Sequence, residues 1–166
     1  MLFFLWESLA FFLNSSVFPS FIMIFKILLV EINEGELFFH LGITLYRVFV
    51  SFFIALIIGT VIGILMGNNK RINSFLDSWN ILFLNIPALV LIILSYVWFG
   101  LTELAAIVAV SLNKIPNVIV TVREGAKSID RKLLEIAYIY KVPKLKMFFK
   151  FYLPQLYPYL IASARG

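Results

Sequence analysis

The side chains of this sequence that could do chemistry are cations rather than nucleophiles or metal ligands. It has no cysteine and a single histidine, His40, so it offers no disulfide framework and no zinc or iron–sulfur ligand set. No catalytic residue, metal or directly bound cofactor is expected. The anomaly is Lys114, which stands two residues before Pro116 in an otherwise uncharged apolar run. A lysine inside a membrane span costs roughly 3 kcal/mol on insertion scales, so it calls for a functional reading. Three readings stay open. Its stem snorkels to the inner headgroups, its ammonium faces a polar pathway and meets an anionic solute, or it pairs with a carboxylate on another helix. Asn85, Ser95, Asn113 and Thr121 are the neutral polar residues that would share such a pathway.

A second concentration of charge lies at 123–154. Arg123, Lys127, Arg131, Lys132, Lys141, Lys144, Lys146 and Lys150 face only Glu124, Asp130 and Glu135, so this stretch carries the whole formal charge of +5. The rest of the chain is built for lipid. At 62% hydrophobic and 14% charged residues, with a mean hydropathy of +0.99, polar side chains are too few to cover a soluble domain of 166 residues. The chain is an all-α integral membrane protein in a lipid bilayer. Basic residues beside apolar spans follow from the positive-inside rule, so the charge excludes nucleic acid as the expected partner and puts 123–153 on the cytoplasmic side.

The elements that must position these residues read as follows. Residues 1–13 are too short to span a bilayer and lack the basic start and small-residue cleavage site of a signal peptide, so they belong to the mature chain. Asn14, Ser15 and Ser16 break the pattern, and Pro19 opens a helix as its first residue, lying near the membrane surface. Glu31, Glu34 and Glu36 form an acidic, external loop. Residues 41–67 are the first span, with Arg47 snorkelling to the outer interface, and Gly59, Gly63 and Gly67 share one face for close helix packing. Residues 68–77 form a cytoplasmic turn. The uncharged run 78–102 bends or ends at Asn85, Pro87, Trp98 and Gly100, Glu103 sits at the outer turn, and 104–122 returns to the basic side. Asp130 caps a helix from Arg131 to about Lys141 by accepting a bond near Leu133. The chain turns at Pro143, and a second helix runs through Tyr152 to a break at Leu153–Pro154. Leu133, Ala137 and Tyr140 share one face, and Leu134, Tyr138 and Lys141 the next. The segment either docks a soluble partner or packs beneath its own bundle.

Glu135-Ile136-Ala137, preceded by Ser128-Ile129-Asp130 and followed by Leu153-Pro154, resembles the EAA loop of bacterial ABC importer permeases of the nitrate/sulfonate/taurine type, with the MetI-like fold. Pro19-Ser20, Gly35-Glu36-Leu37, Thr44-Leu45-Tyr46-Arg47, Ile86-Pro87, Trp98-Phe99-Gly100 and Pro116 with Thr121 extend the likeness in order. The resemblance implies a single permease domain over 1–166, partial because such permeases continue through two further spans. It also implies a multi-pass subunit of the bacterial inner membrane, a second permease copy, an ATPase subunit that holds the ATP, and an extracytoplasmic substrate-binding protein. Leu134, Glu135, Ile136, Ala137, Tyr138, Tyr140 and Lys141 would be the ATPase-coupling residues, Ala137 being small enough for close approach. The solute stays open among nitrate, sulfonates, taurine and thiamine-precursor-like molecules. Such families usually place glycine where Lys141 stands, a small polar residue at 143 and a small one at 136. A lysine held in the left-handed conformation there would cost on the order of 1 kcal/mol. The rival readings are a membrane enzyme, which the residue inventory disfavours, and a non-transporting anchor or relic whose basic loop holds anionic lipid.

Overall fold

The computed structural model describes residues 2–13 and 17–165. They are helices joined by short turns, without strand, and divide into two units, Met1–Tyr46 and Arg47–Gly166.

In the first unit α1 (Leu2–Leu13) and α2 (Phe21–Glu34) meet at the start of α2. The Trp6 indole N–H donates to the Pro19 carbonyl at 3.1 Å, and the Glu7 carboxylate accepts from the Phe21 N–H at 3.0 Å. An anion is thereby placed where unpaired helix N–H groups are concentrated. Pro19 is not the first helical residue, as the sequence predicted. Ser20 is the cap, its hydroxyl accepting from the Met23 N–H, and the helix begins after it. The acidic loop is also corrected: α2 runs through Glu34, only Gly35 interrupts, and Glu36 already opens α3 (Glu36–Asn68). Gly35 takes φ 111, a left-handed cap closed by its N–H to the Glu31 carbonyl. The break predicted at Asn14–Ser16 lies outside the described residues.

In the second unit, α3 reaches Asn68 and the predicted turn at 68–77 shrinks to one residue. Asn69 accepts from the N–H groups of Arg71 and Ile72, and with those donors satisfied α4 (Lys70–Asn85) starts at once. The run 78–102 is not one straight span. α4 and α5 (Ala88–Phe99) meet at 94° across Ile86 and Pro87. Proline cannot donate and forces the residue before it out of helix, and Ile86 is accordingly extended. Thr102 caps α6 (Glu103–Lys127) through the Ala105 N–H.

α3 and α6 are the two helices long and apolar enough to cross a membrane, and α4 with α5 makes a third span if the bent pair counts as one. α7 (Arg131–Ile139) follows, then α8 (Lys144–Met147), a π turn over Phe148–Tyr152, and α9 (Leu153–Arg165). The predicted break at Leu153–Pro154 is absent. The π turn bonds Leu153 N–H to the Phe148 carbonyl, and this widening just before Pro154 lets the helix pass the missing donor.

The core is the line where α3, α6 and α9 meet, built on Val118, Val122, Ala126, Ile129, Tyr152 and Leu156. Gly59, Gly63 and Gly67 do share a packing face, as predicted. A methyl group on them would lie 2.6 Å from Val118 Cβ, 2.9 Å from Val122 Cβ and 2.4 Å from Ala126 Cβ, so the backbones touch only because side chains are missing. Further along this seam Ser51 donates to the Ile107 carbonyl and Ser111 to the Ser51 carbonyl.

Candidate functional site: a lever helix and a polar stripe

Asp130 caps α7 as predicted, its carboxylate accepting from the Lys132 N–H, one residue before Leu133. The Asp130 backbone is pinned in turn, its N–H donating to the Gln155 side chain of α9. The helix ends at Ile139 rather than near Lys141. There the Lys141 N–H bonds the Tyr138 carbonyl at 2.9 Å and the Val142 N–H bonds the Ala137 carbonyl at 3.0 Å. This paired closure is the Schellman motif, which needs a left-handed residue at Lys141. Lys141 has φ 54 and is the one positive-φ residue other than glycine among those described. The family's glycine position thus keeps its glycine geometry with a lysine in it. Pro143 follows directly and starts α8.

Only a narrow edge of α7 meets the bundle. Ala137 is only 4% exposed and Leu134 is half-buried, while Leu133, Glu135, Ile136, Tyr138, Ile139, Tyr140 and Lys141 are exposed. Ala137 therefore faces its own chain, a correction to its expected approach to a partner. Tyr140, past the helix end and 79% exposed, leaves the face predicted for it beside Ala137. The packing reading holds for a narrow edge of α7, and a broad surface of it stays uncovered. Beside α7 lies a cavity of about 790 Å³, lined by Ile64, Leu134, Tyr138, Ile139, Met147 and Phe148, with Lys141 and Lys144 also at its wall. Deeper in, the Asn68 amide donates to the Tyr152 hydroxyl at 2.8 Å. Burial pushes the Tyr152 phenol above its ordinary pKa, against the pull of that bond.

Two ion pairs bracket α6. At one end Arg47 of α3 binds Glu103 through two guanidinium nitrogens, so it does not simply snorkel outward as predicted. At the other Arg123, largely buried, binds Asp77 of α4. At about 1.5 Å per residue the two lie about 30 Å apart, the thickness of a hydrocarbon core. Lys114 sits close to the middle, about 16 Å from Glu103 and 13 Å from Arg123 on the same rise. A lysine stem reaches about 6 Å, which leaves the ammonium inside the slab and weakens the snorkelling reading. Among the described residues Lys114 has no ion-pair partner.

Asn113 and Lys114 share one side of α6 with Asn117 and Thr121. The Asn117 amide donates to the Asn113 carbonyl and the Thr121 hydroxyl to the Asn117 carbonyl. The opposite, apolar side packs on α3 and α4. Asn117 escaped the sequence reading, although its spacing from Asn113 and Lys114 was a usable signal. Asn85 donates to the Ile81 carbonyl at the 94° break, closing the last turn of α4, and Ser95 is buried within α5.

Residues 55–165 match the family model described as binding-protein-dependent transport system inner membrane component. The chain is 31% identical to a Bacillus subtilis protein described as an aliphatic sulfonates transport permease, SsuC, over 81% of this chain and 49% of that one. It is 30% identical to the bicarbonate transport system permease protein CmpB of Synechococcus elongatus, over 80% and 48%. Against the formylaminopyrimidine transport permease protein ThiX of Halalkalibacterium halodurans it is 24% identical, over 82% and 54%. The chain spans about half the length of these curated relatives.

Proposed function

The chain belongs to the inner membrane components of binding-protein-dependent transport systems, a family of ABC permeases of the nitrate/sulfonate/taurine type and not of enzymes, and on that premise we propose that it is a permease subunit whose α7 couples a partner ATPase to solute movement. One observation carries this reading. α7 is tied to α9 at its start by the Asp130–Gln155 bond and closed in a set shape at its end by the Schellman turn at Lys141, yet it leaves Ile136, Tyr138, Ile139 and Tyr140 exposed. A short helix with fixed ends transmits displacement as a rigid body, and an exposed aromatic patch rimmed by charge is a surface for docking. An ATPase subunit that receives this patch would hold the ATP, and its closure would tilt α7 against α8 and α9.

The polar stripe of α6 is the pathway face of this subunit, with Lys114 as its cation and Asn113, Asn117 and Thr121 as neutral hydrogen-bonding groups. A second copy completes the pathway, and an extracytoplasmic binding protein delivers the solute. That relatives are named for sulfonates, bicarbonate and formylaminopyrimidine supports leaving solute choice largely to that delivery. The alternative, an anchor whose basic loop only holds lipid, predicts no ATPase contact at α7.

The cysteine-free sequence allows a clean test. Tyr140→Cys, rather than a cysteine at the buried Ala137, is paired with single cysteines across the docking groove of the ATPase, in membranes. Coupling predicts a crosslink that ATP changes in yield. A correctly inserted chain that gives no crosslink with any groove position favours the anchor.

A further inference from the structure

The open side of α6 carries more charge than Lys114. Glu103 precedes Lys114 by eleven positions, just over three turns at about 3.6 residues each, so it lies on the same side of the helix about 16 Å nearer the outer surface. Glu124 follows Asn117 by seven, just under two turns, and stands at the inner end of that side. Both glutamates are exposed. A polar stripe with a bare carboxylate at each end would repel an anion before it met the lysine. Neither carboxylate is bare. Arg47 of α3 binds Glu103 through two guanidinium nitrogens, and Glu124 accepts from Arg123 at 3.1 Å and from Lys127 at 3.0 Å. Arg123 also holds Asp77, so the inner cluster sets two cations against two carboxylates and the outer pair one against one. Among these described groups Lys114 is the charge in excess. The two ends differ in one respect: Glu124 has two cations from its own helix, whereas Glu103 depends on Arg47 alone, supplied by a neighbouring helix.

We propose that Arg47 sets the charge selectivity of the polar stripe: by neutralising Glu103 at its outer end, it leaves Lys114 to favour anions over cations. At an effective dielectric near 20, a bare carboxylate about 10 Å away changes the local concentration of a monovalent ion about tenfold, downward for an anion and upward for a cation, and salt reduces the effect. Arg47 touches no solute on this account. It is a specificity-determining residue that acts through Glu103, and the inference rests on the reading of this side of α6 as the pathway.

The test reads the sign of the field directly. Val110, exposed on α6, lies seven positions from both Glu103 and Asn117 and therefore on the same side, about 10 Å from Glu103. Val110→Cys is made in the full chain in lipid nanodiscs and labelled with two methanethiosulfonates of similar size, one bearing a sulfonate and the other a quaternary ammonium. The ratio of the two rates is divided by the same ratio for a free thiol, which removes their intrinsic reactivities. With Arg47 and Lys114 in place the ratio favours the anionic reagent. Arg47→Gln lowers it several-fold, and adding Glu103→Gln returns it to near its starting value. Glu103→Gln alone, which frees the guanidinium, raises the ratio and serves if Arg47→Gln does not fold. A reactive cysteine whose ratio ignores both single changes overturns the charge selectivity and leaves the pathway reading standing. Rates for the two reagents that move in parallel overturn it as well, since Arg47 then only holds α3 to α6. A cysteine that reacts with neither reagent in a folded chain shows a face closed to water, which removes the pathway reading and this inference with it.

Discussion

Along α3 and α6 the backbones meet through Gly59, Gly63 and Gly67, where even a methyl group would strike Val118, Val122 or Ala126. α7, by contrast, turns Ala137 and Leu134 inward, borders a 790 Å³ cavity with Tyr138 and Ile139 on its lining, and leaves Ile136 and Tyr140 exposed as well. The seam has nothing to give, because close-packed interiors resist displacement and its serines bond across the contact as well. α7 has open space beside it and a closed turn at its end. On the proposed coupling both regions matter, since a force on a helix moves a pathway only if the pathway helices move as one piece. The difference teaches where compliance is placed: in the packing of α7, not in its turns.

Substitutions that exchange the two characters test this contrast. The largest effect is expected from Gly63→Leu, which drives a branched side chain into Val122 and the Ile119 carbonyl and costs about 3 kcal/mol, read as a lowered unfolding midpoint of the whole bundle. Gly67→Ala sharpens the point: it costs about 1–2 kcal/mol, and Ala126→Gly in the same chain recovers most of it by returning the space of one methyl. If the pair is merely additive, the seam is not the tight contact described. Ala137→Leu costs about 2 kcal/mol locally, because the buried site has no room for three more carbons. It raises proteolysis at 131–141 while the unfolding midpoint of the α3–α6 bundle stays put, and a parallel fall of both would erase the distinction.

Two smaller changes probe the ends of the lever. Lys141→Gly relieves the left-handed lysine and stabilises the turn by about 1 kcal/mol, detected as slower amide exchange at Lys141 and Val142. Tyr152→Phe removes the bond from Asn68 and costs up to about 1 kcal/mol near neutral pH. Since burial raises the Tyr152 pKa, the folded state holds that proton more tightly than the unfolded chain. Its contribution is fully present below the unfolded value of about 10 and is lost as pH rises through the folded value, so the wild type weakens in alkali relative to the phenylalanine variant.

The sequence made legible what depends on spacing along one helix. The glycine face of α3, the Asp130 cap and the bend at Pro87 could be read because each is set by local geometry, while the irregular Lys141 stood out only against the glycine that the family resemblance implied. There a residue in a glycine's place predicted strain, and the backbone carries it. What could not be read are contacts between distant residues. Arg123 finds Asp77 and Arg47 finds Glu103 across 46 and 56 positions, which no periodicity reports. Element ends also slipped where a side chain replaced expected loop. Asn69 reduced a ten-residue turn to a single cap, and the π turn carried a helix past Pro154. Tyr140 leaves the face that amphipathic spacing assigned to it because α7 stops at Ile139, while the inward turn of Ala137 depends on packing against the rest of the chain.

The two ion pairs at the ends of α6 also make the protein a gauge of the membrane around it. Charged groups about 30 Å apart sit comfortably only where headgroups lie the same distance apart, and each Å of mismatch costs a fraction of a kcal/mol in tilt or lipid deformation. Neither pair can slide along its helix to adjust, because each ties α6 to a different neighbour. Bilayer thickness is therefore set against this subunit by the spacing of Glu103 and Arg123, and lipids of other chain lengths would strain the same α6 that carries Lys114 at its centre.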